Sequence, residues 1–488
     1  MNLNINQLEL NKVLAAQEII KIMHHQYVVP TKLPLEPFRA YDIRGDTKFL
    51  TANVVYALGR AIATKLFETN QSTIILGRDG RLTSPELMQA LQTGLLEMGV
   101  DIIDLGIVSS PMVYFATCNL QYNSGISLTA SHNPKHHNGL KIIIDGKSLS
   151  EQQLQTLRLR AEQETVLAKK PGKVSFIDIS QQYINTICEQ IKLQKNHKVV
   201  VDCGNGAGSE IAPRVFAALG CEVVPLFCKI DGNFPNHHPD PGCPENLVDL
   251  QRAVIEHKAD LGLAFDGDAD RLGVVSGKGE IVWPDKQMII FAQDVLATQP
   301  GAEIIFDVKC SNVLFSAIKK AGGKPVMWKT GHSLIKSKMR ESNAPLAGEM
   351  SGHIFFGSPW FGFDDGVFAG ARLLQYLDRM DQDLTKIIGQ LPVTYSTHEL
   401  KVPVAEADKS KIMQQLGQCM PDGGEVNYLD GLRLTFDNGW MLIRPSNTTP
   451  YLTVRYEANS QQDLKALKQV LLNWLHTACA TLDLSGIS

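Results

Sequence analysis

The chain has 488 residues, room for about three or four domains at roughly 150 residues each. Hydrophobic residues make up 44% and charged residues 20%, the balance of a folded globular protein, which excludes wholesale disorder. With 47 Lys and Arg against 51 Asp and Glu, the net charge of −4 gives no electrostatic footprint for nucleic acid or an anionic membrane, although a local basic pocket for a small anion stays open.

No apolar run reaches the roughly 18 residues of a membrane helix, and the opening MNLNINQLEL lacks the basic and apolar regions of a secretory signal. Nine scattered cysteines without a C-x-x-C pair fit reduced thiols in a cytoplasmic protein better than a disulfide framework or a structural zinc site. Residues 1–35 stand apart as an N-terminal helical extension. There Leu8, Leu10, Val13, Leu14, Ile19, Ile20 and Ile22 predict an amphipathic helix that ends before Pro30 and Pro34 and packs on the body.

Three similar segments follow, starting at Ser72, His197 and Ala302. Each runs from a short β-branched strand through a polar or Gly-rich turn, a helix and a Gly to another strand, which predicts β-α-β units in mainly parallel sheets. In the first, Ser84 is the expected N-cap, Pro85 the first helical position and Gly99 the residue just past the end. The last hundred or so residues differ. Thr394–Val404, Gly431–Asp437, Trp440–Arg444 and Leu452–Glu457 predict strands, and Lys409–Met420 and Gln461–Thr481 predict helices. The expected fold is α/β, with three similar mixed-sheet domains at 36–175, 176–280 and 281–390 and a C-terminal α+β domain at 391–488.

Four clusters carry chemistry. Thr129-Ala130-Ser131-His132-Asn133-Pro134 follows the apolar strand Gly125–Leu128 and makes a tight loop, with Lys141 close behind. Its exposed serine has a histidine and a lysine for company, a possible base and a phosphate-binding cation; alone, the loop also reads as a solvated surface turn. Asp266, Asp268 and Asp270, ahead of Arg271, follow the strand Asp260–Phe265 at the edge where ligands gather in parallel sheets. Carboxylates so spaced repel unless a cation joins them. An EF-hand is excluded because Arg271 and Gly277 stand where Gly and Glu are required, so Mg²⁺ held partly by substrate or phosphoserine oxygens is the better fit. A solvated acidic turn is the competing reading.

In Gly348-Glu349-Met350-Ser351-Gly352-His353, Glu349 and Ser351 lie two apart, so in extended backbone they point the same way and suit adjacent sugar hydroxyls. Arg444 can fork onto a phosphate, with Ser446, Asn447 and Thr448 as neutral donors between Pro445 and Pro450. No GKS or GKT follows a Gly-rich stretch, so this is not a Walker A loop. Each of these two clusters alone is also compatible with a polar turn. Tyr41 and Arg44 flank a turn, Lys309 follows the third unit's first strand, and His332 follows its second.

The motifs TASHNP, DGDADR, GEMSGH and RPSNTTP, in this order and flanked by FRAYDIRG and MWKTGHSLIK, resemble the α-D-phosphohexomutase family, above all its bacterial phosphomannomutase/phosphoglucomutase branch. The resemblance spans nearly everything after residue 35. It implies four domains around a central cleft and reversible movement of phosphate between O1 and O6 of an aldohexose through a hexose 1,6-bisphosphate, which also serves as activator. It implies Ser131 as the phosphorylated residue and Mg²⁺ on Asp266, Asp268 and Asp270 with that phosphate. Glu349 and Ser351 would bind the O3 and O4 hydroxyls, and Arg444, Ser446, Asn447 and Thr448 would clamp the existing phosphate. Tyr41, Arg44, Lys141, Arg271, Lys309 and His332 would line the site. The cations Arg44, Lys141 and Arg271 would withdraw charge in a loose transition state. His132, Lys141 and His353 are the candidate general bases. A clamp that accepts phosphate at either end of the sugar predicts tolerance at C2, so mannose and glucose phosphates are the expected partners, with no nucleic acid or membrane partner and a monomeric chain.

Three alternatives compete. A phosphoglucosamine mutase would carry Gln where Met350 stands. A metal-dependent sugar phosphatase would not need both a sugar loop and a second phosphate clamp. An inactive sugar-phosphate sensor would have lost Ser131 or the aspartates.

Overall fold

The computed structural model describes residues 26–39, 42–163, 168, 170–446 and 450–487. The helix expected over Leu8–Ile22 of the N-terminal segment lies outside the described residues. Where the segment enters the described part it packs by its side chains: Leu33 is fully buried in the first domain's core, and Tyr27 stacks on Tyr56 with ring centroids 5.5 Å apart. Among the described residues no helix is long and apolar enough to cross a membrane.

The chain forms two compact units. One comprises the residues up to Trp283 together with Ser351–Thr385; the other comprises Pro284–Met350 with Lys386 onwards.

The first unit holds two mixed sheets. In the first, Ile43–Asp46, His137–Ile144 and Gly125–Leu128 run antiparallel, then Thr73–Arg78, Asp101–Ile107 and Val174–Phe176 continue in parallel. In the second, Ile281–Val282, Leu272–Ser276 and Leu261–Phe265 are antiparallel neighbours, and Lys198–Asp202 and Glu222–Leu226 complete a parallel half. The parallel pairs are those of the predicted β-α-β units, with the helix Ser84–Glu97 connecting the first pair. Gly99 takes the left-handed conformation (φ 89°) expected of the residue after a helix end. The N-cap is Thr83 rather than Ser84; Ser84 opens the helix and instead donates its hydroxyl to Asp79.

The helix Ala52–Glu68 crosses Ser84–Glu97 at two glycines. A Cβ on Gly59 would lie 2.6 Å from the Leu91 carbonyl oxygen, and one on Gly94 would lie 2.3 Å from that of Tyr56. Neither contact leaves room for a side chain, so the glycine pair sets how closely these helices approach.

In the second unit, Lys324–Trp328, Glu303–Asp307 and Leu346–Gly348 are parallel neighbours, with Asp307 opposite Trp328 and Phe306 opposite Gly348. Their carboxyl ends therefore share one edge. The C-terminal sheet is antiparallel, in the order Tyr395–Ser396, Tyr451–Ala458, Gly439–Pro445, Leu432–Phe436 and Glu425–Asn427. The helices Lys409–Gln418 and Gln461–Ala478 share its core through Ile412, Leu416, Leu467, Leu471 and Leu475. The strand expected at Thr394–Val404 is two short ones, Tyr395–Ser396 and Leu400–Pro403, both paired to Tyr451–Ala458.

Candidate active site

In the first unit, Ser131 lies just past the carboxyl end of Gly125–Leu128 in left-handed backbone (φ 50°), a sparsely populated conformation for a residue with a side chain. The surroundings hold it there. Arg81, 1% exposed, directs its guanidinium at the loop: Nη2 donates to the carbonyls of Ser131 (2.6 Å) and Asn133 (2.8 Å), and Nη1 to those of Pro134 (2.7 Å) and His137 (3.1 Å). Asp79 fixes the arginine through Nε at 2.9 Å and accepts the hydroxyls of Thr129 and Ser84, both at 2.7 Å. The Thr129 hydroxyl in turn accepts the Ser131 N–H at 2.9 Å. Neither Arg81 nor Asp79 is among the residues the motifs single out. Their signal is a charged Arg-Asp-Gly-Arg turn directly after a parallel strand, at the edge where loops carry function.

The acidic loop meets this serine. Ser131 Oγ donates to Asp266 Oδ2 at 2.5 Å and lies 3.0 Å from His132 Nδ1. The approach depends on Gly267, where a Cβ would sit 2.3 Å from the Ser131 carbonyl oxygen. Ala269 adopts φ 59°, which its small side chain tolerates.

One ligand atom each from Asp266, Asp268 and Asp270 lies within 4.8 Å of the others, and all three residues are fully buried. Asp268 Oδ1 and Asp270 Oδ1 have no hydrogen-bond partner. Burial and the two neighbouring carboxylates push Asp266 well above the ordinary carboxylate range. Three crowded carboxylates with unsatisfied buried oxygens are a donor set suited to a hard divalent cation.

Lys141 Nζ donates to Asp268 at 2.6 Å and also to Asp270. Burial opposes its charge, but those two carboxylates outweigh it and keep the ammonium well above its ordinary pKa, which removes Lys141 from the candidate bases. Ser110 donates its hydroxyl to Asp268 as well. Arg44 pairs with Asp42 and donates to Asn133 Oδ1 at 3.3 Å.

Arg271 Nε donates to His353 Nε2 at 3.1 Å, while His353 Nδ1 lies 3.1 Å from Asp364 Oδ2. His353 so placed orients Arg271. Burial together with the cations Arg271 and Arg44 holds His132 well below the ordinary histidine range, so it is a neutral imidazole. His132 thus places a neutral ring nitrogen 3.0 Å from Ser131 Oγ.

In the second unit the candidates gather at the shared carboxyl edge. The Glu349 carboxylate accepts the Gly331 N–H at the start of the helix His332–Ser342. Lys309 pairs with Glu399, and burial, which lowers its pKa, is outweighed by Glu399, Asp307 and Glu349. Arg444 Nε donates to Asp430 Oδ2 at 3.0 Å, and the same carboxylate accepts the Thr330 N–H at 2.9 Å, beside His332. The Ser446 N–H donates to the Tyr451 carbonyl at 3.0 Å. Asn447, Thr448 and Tyr41 lie outside the described residues.

The extended geometry expected for Glu349 to Ser351 is not what forms. The strand ends at Gly348 and the chain turns at Met350 and Ser351, because the Met350 N–H is taken by Asp307 Oδ1 at 3.2 Å. Glu349 belongs to the second unit and Ser351 to the first.

Comparison with known proteins agrees along the length of the chain. Four domain profiles match in order: phosphoglucomutase/phosphomannomutase alpha/beta/alpha domain I at residues 36–167, domain II at 181–279, domain III at 283–395, and the C-terminal domain at 399–473. A phosphomannomutase/phosphoglucomutase of Pseudomonas aeruginosa is 48% identical over 454 residues, covering 92% of this chain and 97% of that protein. A phosphoglucomutase of Neisseria meningitidis is 47% identical over 436 residues, covering 88% and 95%. The crystal structure of a phosphoglucomutase/phosphomannomutase family protein from Burkholderia thailandensis superposes with a TM-score of 0.86 at 42% identity, covering 92% of this chain and 99% of that one. With identity of this order across nearly the whole chain, and the serine and acidic loops converging on one point, this protein belongs to the phosphoglucomutase/phosphomannomutase family.

Proposed function

We infer that the protein is a phosphohexomutase that interconverts the 1- and 6-phosphates of mannose and glucose through a phosphoserine at Ser131 and a hexose 1,6-bisphosphate. The observation that carries this reading is the convergence of Ser131 Oγ on Asp266 within 2.5 Å, beside a neutral His132 and the ammonium of Lys141. We divide the chain into the four domains 36–175, 176–280, 281–390 and 391–488.

Mg²⁺ held by Asp266, Asp268, Asp270 and the serine phosphate supplies charge neutralisation for phosphoryl transfer. The chain's own residues do the rest. Lys141 outweighs burial to keep Asp268 ionised, and it also donates to Asp270. Arg44 and Arg271 offset charge on the moving phosphoryl group, with Arg271 aimed by His353 and Asp364. His132 takes the proton from the attacking sugar hydroxyl as the P–Oγ bond breaks, then returns it to Ser131 Oγ, 3.0 Å away. The bisphosphate reorients and gives its other phosphate back to Ser131. Glu349 and Ser351 read the O3 and O4 hydroxyls, and Tyr41, Lys309, His332, Arg444, Ser446, Asn447 and Thr448 hold the phosphate that stays. None of these groups is committed to the C2 substituent, so mannose and glucose are both admitted.

A paired mutase assay tests this. Protein with Mg²⁺ and a trace of glucose 1,6-bisphosphate is given mannose, glucose or glucosamine 1-phosphate while free phosphate is followed. Comparable formation of mannose and glucose 6-phosphates, lost in Ser131→Ala and on chelation and restored by Mg²⁺, is expected. A single accepted hexose overturns the C2 argument, preference for glucosamine phosphate overturns the substrate, and phosphate release without isomerisation overturns the mutase.

A further inference from the structure

A second cluster of potential ligands lies in the first unit, at the foot of the Ser131 loop, and nothing in the mutase chemistry uses it. Asp46 ends the strand Ile43–Asp46 and stands directly opposite His137, the first residue of His137–Ile144. Residues so paired in an antiparallel ladder turn their side chains to the same face. His136 is pinned next to them, because its carbonyl accepts both the backbone N–H and the hydroxyl of Thr47, each at 3.1 Å. One ligand atom each from Asp46, His136 and His137 lies within 4.8 Å of the others.

We propose that Asp46, His136 and His137 form a binding site for a divalent transition-metal ion of the Zn²⁺ type, separate from the acidic loop. Two imidazoles and one carboxylate suit zinc, whereas the oxygen-only set of Asp266, Asp268 and Asp270 suits Mg²⁺. His136 Nε2 and Asp46 Oδ2 are 4.0 Å apart. Ligands on tetrahedral zinc, with bonds of about 2.0–2.2 Å, sit roughly 3.4 Å from each other, so small side-chain rotations close the set. Asp46 also meets the Lys48 ammonium at 3.1 Å, but that side chain is 66% exposed, and such a contact yields at little cost. His136 is 59% exposed, so a fourth position is open to water.

The location gives the ion leverage on the phosphoserine loop. The His137 carbonyl accepts from Arg81, its N–H donates to the Pro134 carbonyl at 2.9 Å, and Asn133 Nδ2 lies 3.1 Å from its Nδ1. Asn133 also holds Arg44. An ion here cross-links the strand that begins after the loop to the strand that carries Arg44.

The test is calorimetric titration of the full-length protein with Zn²⁺, in Mg²⁺ sufficient to saturate the acidic loop, repeated with Co²⁺ and its visible absorption. One ion per chain is expected, with the intense Co²⁺ bands of a four-coordinate site. Affinity should fall about tenfold or more in His136→Gln and in Asp46→Asn and stay unchanged in Asp268→Asn. His136 is exposed, so His136→Gln should unfold thermally like the parent protein when Zn²⁺ is absent. Equal Zn²⁺ binding by the parent and His136→Gln overturns the site. So does Zn²⁺ binding that only Asp268→Asn abolishes.

Discussion

Arg81 makes four hydrogen bonds to the carbonyls of residues 131–137 and one ion pair to Asp79, all out of water. Lysine would keep the charge but lose the planar fork that reaches several acceptors at once. Arg81→Lys is therefore expected to lower kcat about 10- to 100-fold while leaving KM for the sugar phosphate nearly unchanged, because it misplaces Ser131 rather than the substrate. Steady-state kinetics checks the split; an equal rise in KM would point to a general loss of structure. Ser131 and the three aspartates are legible in the sequence because each motif is short and states its own chemistry. Arg81 is not, because its partners are main-chain carbonyls some 50 positions away, and a carbonyl leaves no mark on sequence. Lys141 is legible as a cation, yet only its bonds to Asp268 and Asp270 show that it cannot serve as a base.

The predicted strand Gly125–Leu128 forms with those bounds, and the three parallel pairs follow from β-branched runs separated by helices. Where tertiary contacts compete with local pattern, the pattern loses. Ser84 has the chemistry of a cap but gives its hydroxyl to Asp79, and the segment after Gly348 turns because Asp307 takes the next free N–H. The crossing of Ala52–Glu68 over Ser84–Glu97 is another such case, since a glycine inside a helical pattern reads as a weak point rather than a contact. Gly94→Ala should cost about 1–3 kcal/mol of stability through overpacking, although alanine is the better helix former. Chemical denaturation measures it; a stabilised variant would show that the helices can move apart freely.

Residues 351–385 return to the first unit after the chain has built part of the second. Two carboxylates help to secure that return: Asp365, which accepts the Tyr183 hydroxyl, and Asp378. Asp378, in the helix Gly366–Met380, accepts the N–H groups of Gln194 and Lys195, both at 2.9 Å, and meets His197 Nε2 at 3.3 Å. Hydrogen bonding to Asp260 foremost, then to Asp378, outweighs burial and raises the His197 pKa. The stabilisation from its charged form is complete below about pH 6.5 and disappears as pH rises through the higher folded-state value. His197→Gln should therefore cost about 1 kcal/mol near pH 6 and little near pH 9. Denaturant midpoints at the two pH values test this, and a loss independent of pH would assign the histidine a packing role only.

The returning segment also carries His353 and Asp364, which aim Arg271. On the ribosome, Ser131 and all three aspartates have been synthesised by residue 270, but these two partners arrive much later. At roughly 5–20 residues per second, the stretch from residue 283 to residue 385 adds about 5–20 s. A nascent chain thus holds Ser131 and the three aspartates well before His353 can orient Arg271. In the proposed mechanism, a chain released before His353 is made lacks the partner that orients Arg271.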